Sequence, residues 1–150
     1  SPEAKLTRGQ FIVMLMRAYG IDPDLNPDPA MNFADAGDTW YTGYLAAAKR
    51  LGISEGVGGN MFAPEKEITR QEMFTMLYNA LKAIGKLPQG SSGKTLSDFS
   101  DAGDIAPWAK AAMQMLVETG YISGSGGKLM PKDTATRAQT AQVFYNLLSK

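Results

Sequence analysis

The chain has 150 residues with 15 basic and 15 acidic side chains, so its formal net charge at pH 7 is zero. This length allows one domain with a buried core, and the charge balance gives no overall field for binding nucleic acid or an anionic membrane surface. The sequence contains no cysteine and no histidine, which excludes disulfides, thiol or histidine catalysis and the usual zinc ligands. We therefore expect a non-enzymatic protein without cofactor or metal. No run approaches the roughly 20 apolar residues of a membrane span, so membrane insertion is not expected either.

An internal repeat organises the chain from its beginning. The motif Thr-Arg-x-Glu/Gln occurs three times, beginning at Thr7, Thr69 and Thr136. A proline lies five positions before each of these threonines, namely Pro2, Pro64 and Pro131. Apolar residues follow at helical spacing, which keeps one stripe on one helix face. The sequence therefore predicts three equivalent amphipathic helices that begin at the threonines, and we call them the back helices.

A second pattern lies upstream of the last two threonines. The sequence Phe-x-Asp-Ala-Gly-Asp begins at Phe33 and again at Phe99, and a tryptophan follows each copy. Helix-starting and helix-ending residues then predict one helix over residues 39–51 and another over residues 107–119. We call these the front helices, and each of them leads into a glycine-rich loop.

These patterns divide the chain into a partial first unit, residues 1–25, and two complete units, residues 33–85 and 99–150. Linkers rich in proline, glycine or serine, residues 26–32 and 86–98, connect the units. Because no back helix can bury its apolar stripe alone, the three are expected to pack together. The predicted fold is a single all-α domain with a central three-helix bundle and the front helices outside it.

The threonine motif predicts a capping box, in which the threonine and the Glu/Gln side chains accept hydrogen bonds from each other's backbone amides. Its arginine is harder to explain, because a cation in the first turn opposes the helix dipole. The arginine occurs in all three copies, as Arg8, Arg70 and Arg137. Two explanations stay open. The arginines bind a carboxylate or phosphate group, or each pairs with an aspartate of a neighbouring unit, such as Asp35 or Asp101, and fixes how the units pack.

The aromatic and glycine positions also allow two interpretations. Trp40 and Trp108 stand beside aspartates, where a tryptophan can stack on a sugar ring or pack on the core. The loops at residues 56–59 and 124–127 lack the Gly-Lys-Ser/Thr ending of a phosphate-binding loop, so we interpret them as turns that let a ligand approach the backbone. Residues 22–28 begin like a calcium loop but lack its glycine and its glutamate.

The order of these motifs resembles the S-layer homology repeat. Residues 68–72, 108–109 and 136–139 match its motifs, and the resemblance covers nearly the whole chain. Domains of this family usually carry three repeats in a pseudo-threefold arrangement and bind secondary cell-wall polysaccharide non-covalently, often through pyruvate ketals. The resemblance therefore implies an extracellular protein associated with the cell wall or an S-layer.

Carried over by motif, the resemblance implies three groups of ligand-binding residues. Arginines would hold the ketal carboxylate, with Arg70 and Arg137 in the complete units and Arg8 in the partial one. Aspartates and tryptophans would contact the sugar, namely Asp35, Asp101, Trp40 and Trp108. Glycines would form a close backbone wall, namely Gly58, Gly59, Gly126 and Gly127.

The first unit departs from the family pattern, because it keeps Arg8 but has no tryptophan or Gly-Gly loop of its own. At most two complete grooves are therefore expected. The predicted function is anchoring to acidic, pyruvylated wall polysaccharide. The alternative is a protein–protein interaction or self-assembly module of a surface layer, in which the partial first unit offers an uncovered apolar helix face to a second chain.

Overall fold

The fold, seen in a computed structural model that describes residues 3–149, is all-α. Within that range the extended backbone forms only isolated bridges and no strand, and no helix is long and apolar enough to cross a membrane. Pro2, the first of the three repeated prolines, lies outside the described residues. The five α-helices are Arg8–Ala18 (α1), Thr42–Leu51 (α2), Arg70–Ala83 (α3), Lys110–Glu118 (α4) and Arg137–Leu148 (α5). Short 3-10 helices occupy Pro29–Met31, Leu96–Asp98, Ala102–Asp104 and Pro107–Ala109.

The back helices α1, α3 and α5 begin where the sequence predicts. The Thr7 hydroxyl accepts a hydrogen bond from the Gln10 amide at 3.1 Å, and the Gln10 side chain accepts one from the Thr7 amide at 3.0 Å. The same reciprocal pair closes the first turn at Thr69 and at Thr136. All three predicted capping boxes are confirmed, and each satisfies two backbone donors that a helix start would otherwise leave free.

The front helices begin later than predicted. Instead of starting at Thr39, α2 starts at Thr42, whose side chain accepts a hydrogen bond from the Thr39 amide at 2.8 Å and donates one to the Ala36 carbonyl at 2.9 Å. These bonds hold the intervening residues in a turn. The second front helix α4 likewise starts after a 3-10 turn at Pro107–Ala109. The consequence is that both tryptophans lie on turns and not within the α-helices.

A ring of backbone hydrogen bonds joins the starts of the three back helices. The Ile68 amide donates to the Leu6 carbonyl at 2.9 Å, the Leu6 amide to the Ala135 carbonyl at 3.4 Å, and the Ala135 amide to the Ile68 carbonyl at 2.9 Å. Each of these residues directly precedes a capping threonine, and all three are completely buried. The ring therefore brings the three helix starts, with their arginines, to one end of the domain.

Each front helix packs on the back helix of the preceding unit. Helix α2 contacts α1, and α4 contacts α3, whereas α5 receives no front helix from residues 3–149. Tyr145 and Leu148 of α5 are accordingly 70% and 53% exposed, although Phe144 stacks on Phe11 of α1 with ring centroids 5.9 Å apart. The sequence predicts an uncovered apolar face on the first unit, and the structure corrects this prediction, because α1 is covered by α2. Self-association stays a prediction.

Candidate functional site

A partly buried clamp centred on Asp35 shapes the loop that follows α2. The two carboxylate oxygens of Asp35 accept hydrogen bonds from the backbone amides of Phe62 and Ala63, each at 2.8 Å. Ala63 has a φ of 59°, a left-handed conformation that non-glycine residues rarely adopt. The carboxylate therefore holds a strained turn in place. Although Asp35 is predicted to touch a sugar, the contacts of both its oxygens are structural.

Asp101 repeats this clamp in the third unit. Its oxygens accept hydrogen bonds from the amides of Leu129 at 2.9 Å and Met130 at 2.8 Å, and Met130 has a φ of 53°. Burial raises the pKa of Asp101, but hydrogen bonds from the backbone lower it by more, so the pKa lies below its ordinary value. The folded protein thus favours the ionised carboxylate.

This pKa shift predicts how stability depends on pH. Because the pKa of Asp101 is lower in the folded than in the unfolded chain, its stabilisation is fully present above the unfolded pKa and is lost as the pH falls through the folded pKa. We expect the free energy of unfolding, measured with urea between about pH 6 and pH 3, to fall less steeply in Asp101→Asn than in the unchanged protein. Equal slopes in the two proteins would contradict the clamp.

Arg8 links the Asp35 clamp to the next back helix. Its Nε donates to the Phe62 carbonyl at 2.8 Å, its Nη1 donates to Glu72, and its Cζ lies 4.7 Å from the centroid of the Phe62 ring. Burial lowers the pKa of Arg8, and Glu72 opposes that change. Of the two explanations for the arginines, pairing with a neighbouring unit therefore applies to Arg8. Its hydrogen-bonded partner is Glu72, and Asp35 adds an electrostatic attraction.

The other two arginines lie in different environments. The Nε of Arg70 donates to the Leu129 carbonyl at 3.0 Å, and burial lowers its pKa while Asp133 and Asp101 oppose that change. Arg137 is exposed, because no front half-unit within residues 3–149 covers the start of α5. The three equivalent arginines thus differ in what surrounds them.

A groove of about 730 Å³ opens beside Arg8, and all three units contribute to it. One wall is the loop from Ile53 to Gly58 of the second unit, and another is a half-buried face of α3 with Tyr78 and Asn79. The third wall is Trp108 of the third unit, with two alanines of α4. Small residues, an exposed aromatic ring and convergent polar groups are typical of a site for a sugar.

The predicted site residues distribute unequally around this groove. Arg8, Gly58 and Trp108 line it. Trp40 and Trp108 are each 59% exposed, so neither ring is buried in the core. The residues that lie outside the groove are Asp35, Trp40, Gly59, Arg70, Asp101, Gly126, Gly127 and Arg137. The loop of one unit packs beside the arginine of the preceding unit, as Phe62 does beside Arg8 and Leu129 beside Arg70. That Arg70 and Arg137 bind a ligand stays a prediction.

The loop glycines differ in their roles. A Cβ on Gly56 would lie 2.3 Å from the Met61 carbonyl oxygen and 2.9 Å from the Phe33 ring, whereas a Cβ on Gly58 would meet nothing within 4 Å. Gly56 is therefore required for the loop to close, while Gly58 leaves backbone exposed to the groove. Gly58 has a φ of 107°, where a side chain would be strained.

Several residues that line the groove are not among those predicted from the sequence. Tyr78 and Asn79 line the groove, and the same Tyr-Asn pair recurs in the third unit at residues 145–146. This recurrence at one position after the threonine is a signal that could have identified them. Lys66 and Glu55 also line the groove. The other units have different residues at the equivalent positions, so no repeated pattern indicates these two.

The calcium-like segment has other contacts. Asp24 forms an ion pair with Arg50 at 2.8 Å, and Asp28 caps the 3-10 helix Pro29–Met31 by accepting from the Ala30 amide. Within residues 3–149, no cluster of three or more acidic side chains is arranged to hold a metal ion.

Comparison with known proteins agrees with this architecture. The profile of the S-layer homology domain matches residues 32–74 and 98–141. The chain is 33% identical, over 94% of its length, to S-layer protein sap of Bacillus anthracis. It is 37% identical, over 81% of its length, to the surface-layer 125 kDa protein of Lysinibacillus sphaericus. It is also 34% identical, over 99% of its length, to exoglucanase XynX of Acetivibrio thermocellus.

The chain spans only part of these relatives. It covers 16% of S-layer protein sap, 13% of exoglucanase XynX and 10% of the surface-layer 125 kDa protein. The same module thus occurs in S-layer proteins and in a protein named as an enzyme. The two profile matches include the clamps at Asp35 and Asp101 and the capping boxes of α3 and α5, and on these grounds the chain belongs to the S-layer homology family.

Proposed function

We propose that this chain holds its parent protein non-covalently on the bacterial cell wall by binding an acidic wall polysaccharide in the groove beside Arg8. As an S-layer homology domain, the chain is a cell-surface module associated with the cell wall. The parent protein's own activity resides in other parts of that protein, as the mixture of S-layer proteins and an exoglucanase among the relatives suggests. The domain itself is a binding module and not the catalytic part.

The observation that carries the proposal is the meeting of three units at one groove. An exposed Trp108 ring faces a space bordered by the Gly58 backbone and by the side chains of Tyr78 and Asn79. An aromatic face can cover the apolar side of a sugar ring, while amide and hydroxyl groups bond to its hydroxyls. The groove volume of about 730 Å³ is that of a site for a small oligosaccharide and not for a single ion.

The proposal also specifies that the polysaccharide is acidic. Two cationic side chains, Arg8 and Lys66, line the groove, and a carboxylate on the sugar would be attracted to such a charge. A pyruvate ketal is the substituent that the family resemblance implies.

The proposal also includes a pseudo-threefold arrangement of the units. The closed ring of hydrogen bonds through Leu6, Ile68 and Ala135 supports it, because each unit donates to one neighbour and accepts from the other. The unit boundaries proposed from the sequence, residues 33–85 and 99–150 after a partial unit, are compatible with this ring.

Trp108 and Trp40 provide a matched test of the groove. They occupy equivalent positions with the same exposure of 59%, but only Trp108 lines the groove. We expect Trp108→Ala to weaken binding to isolated walls of Lysinibacillus sphaericus and Acetivibrio thermocellus about tenfold, because an aromatic anchor is lost. Trp40→Ala should change the affinity by less than about twofold.

The measurement is co-sedimentation of purified domain with walls before and after extraction of their polysaccharide. Binding that survives the extraction would refute polysaccharide anchoring. Equal losses in Trp40→Ala and Trp108→Ala would place the ligand outside this groove.

A further inference from the structure

Four charged side chains line the groove, and two of them neutralise each other. Arg8 donates to Glu72, and their side chains are only 3% and 11% exposed. The Nε of Arg8 is also committed, because it donates to the Phe62 carbonyl. Arg8 therefore has its charge balanced inside the protein and offers little of its guanidinium to a ligand. The remaining charged residues of the lining are Lys66 and Glu55.

The backbone of Lys66 is held by hydrogen bonds, but its side chain, unlike that of Arg8, is exposed. Its amide donates to the Ala63 carbonyl at 3.2 Å, and its carbonyl accepts from the Arg8 amide at 2.8 Å. The side chain is exposed, and among residues 3–149 it forms no ion pair. A fixed backbone beside the groove restricts where the ammonium group can reach, while its charge stays available.

This positive charge is peculiar to the second unit. Three positions before the capping threonine, where the second unit has Lys66, the first unit has Ala4 and the third has Asp133. Asp133 interacts electrostatically with Arg70, so the third unit carries the opposite charge at this place. Glu72 is likewise the only acidic member of its set, since Gln10 and Gln139 occupy the equivalent positions.

We propose that Lys66, and not Arg8, is the cation that binds the carboxylate of an acidic sugar in this groove, while Glu72 keeps Arg8 in a structural role. The inference rests on the proposed function and names the residue that sets its charge specificity. Glu55, on the opposite loop, accepts hydrogen bonds from sugar hydroxyls. Acid recognition is thereby confined to the groove beside Arg8, because Ala4 and Asp133 occupy the positions equivalent to Lys66 in the other units.

The test compares two forms of one ligand. Acidic polysaccharide fragments released from the walls are used either intact or after chemical reduction of their carboxylates to alcohols, and affinities are measured by calorimetry. We expect the unchanged domain to bind the intact form about tenfold more tightly than the reduced form, which is the contribution of one well-placed charged contact. Lys66→Gln should abolish this preference while leaving the affinity for the reduced form unchanged.

Two further variants complete the design. Lys66→Arg keeps the charge and should keep the preference. Lys132→Gln removes an exposed lysine from the corresponding turn of the third unit, outside the groove, and should bind both forms as the unchanged domain does. If Lys66→Gln discriminates between the two forms as well as the unchanged domain, Lys66 is not the carboxylate ligand, although the proposed function stands. If the unchanged domain binds neither form, both proposals fail.

Discussion

Asp35→Ala is expected to lower the free energy of unfolding by about 3 kcal/mol, because two backbone donors lose their acceptors at once. The amides of Phe62 and Ala63 both bond to this carboxylate, and the Phe62 side chain is completely buried. The variant also releases the left-handed turn at Ala63 and with it the carbonyl that receives Arg8. Urea unfolding monitored by circular dichroism measures the loss.

Asp38→Ala is the matched control for this change. Asp38 belongs to the same Phe-Ala-Asp-Ala-Gly-Asp sequence and is exposed, so its removal should change stability by no more than about 0.5 kcal/mol. Asp35→Asn keeps one acceptor oxygen and should fall between the two. If Asp35→Ala and Asp38→Ala are equally stable, the carboxylate does not hold the loop, and the groove wall must be maintained by other contacts.

Glu72→Gln is expected to destabilise the domain by about 2–4 kcal/mol, because it leaves a buried guanidinium without its counter-charge. Glu72 uses one oxygen to accept from the Thr69 amide at 2.9 Å and the other to accept from Arg8. Glutamine can serve the capping box, as Gln10 and Gln139 do, but its amide group would face Arg8 with donors. The loss of stability in this variant therefore measures the contribution of the ion pair and not that of the helix cap.

Two variants separate this ion pair from general effects of charge. Arg8→Met combined with Glu72→Gln should recover most of the stability lost in Glu72→Gln, since neither position then carries an unpaired buried charge. Arg137→Met removes the exposed equivalent arginine and should cost no more than about 0.5 kcal/mol. The ion pair would be energetically irrelevant if Glu72→Gln unfolded at the same urea concentration as the unchanged protein.

The features that the sequence predicted correctly are those decided by neighbouring residues. The capping boxes depend on side chains and amides three residues apart, so the starts of α1, α3 and α5 could be read from Thr7, Thr69 and Thr136. The all-α fold followed from helical spacing in the same segments. The starts of α2 and α4 were missed because Thr39 and Pro107 begin turns that lead into the helices.

The features that the sequence could not predict depend on which units come together. Asp35 binds amides 27 and 28 residues away, and Arg8 binds a glutamate 64 residues away. No local pattern distinguishes these partners from the sugar contacts suggested by the family resemblance. The same reason explains the groove, since its arginine, glycine loop and tryptophan come from three successive units and not from one.

The three equivalent arginines show how a repeated residue can acquire different roles. A cation in the first helical turn is unfavourable by about 0.3–1 kcal/mol, and each of the buried arginines compensates by bonding a carbonyl of the following unit, Phe62 for Arg8 and Leu129 for Arg70. These bonds fasten successive units together. The assembly of successive units therefore explains why the arginine is repeated. The cation that binds the ligand has to be sought among residues that differ between units, such as Lys66.

The most direct test of ligand binding in the groove uses the two tryptophans as reporters. Trp40→Phe leaves Trp108 as the sole tryptophan, and Trp108→Phe leaves Trp40. Titration of wall polysaccharide fragments should produce a saturable change in fluorescence when Trp108 is the reporter and none when Trp40 is. A saturable change from Trp40, with Trp108 silent, would contradict the assignment of this groove as the binding site.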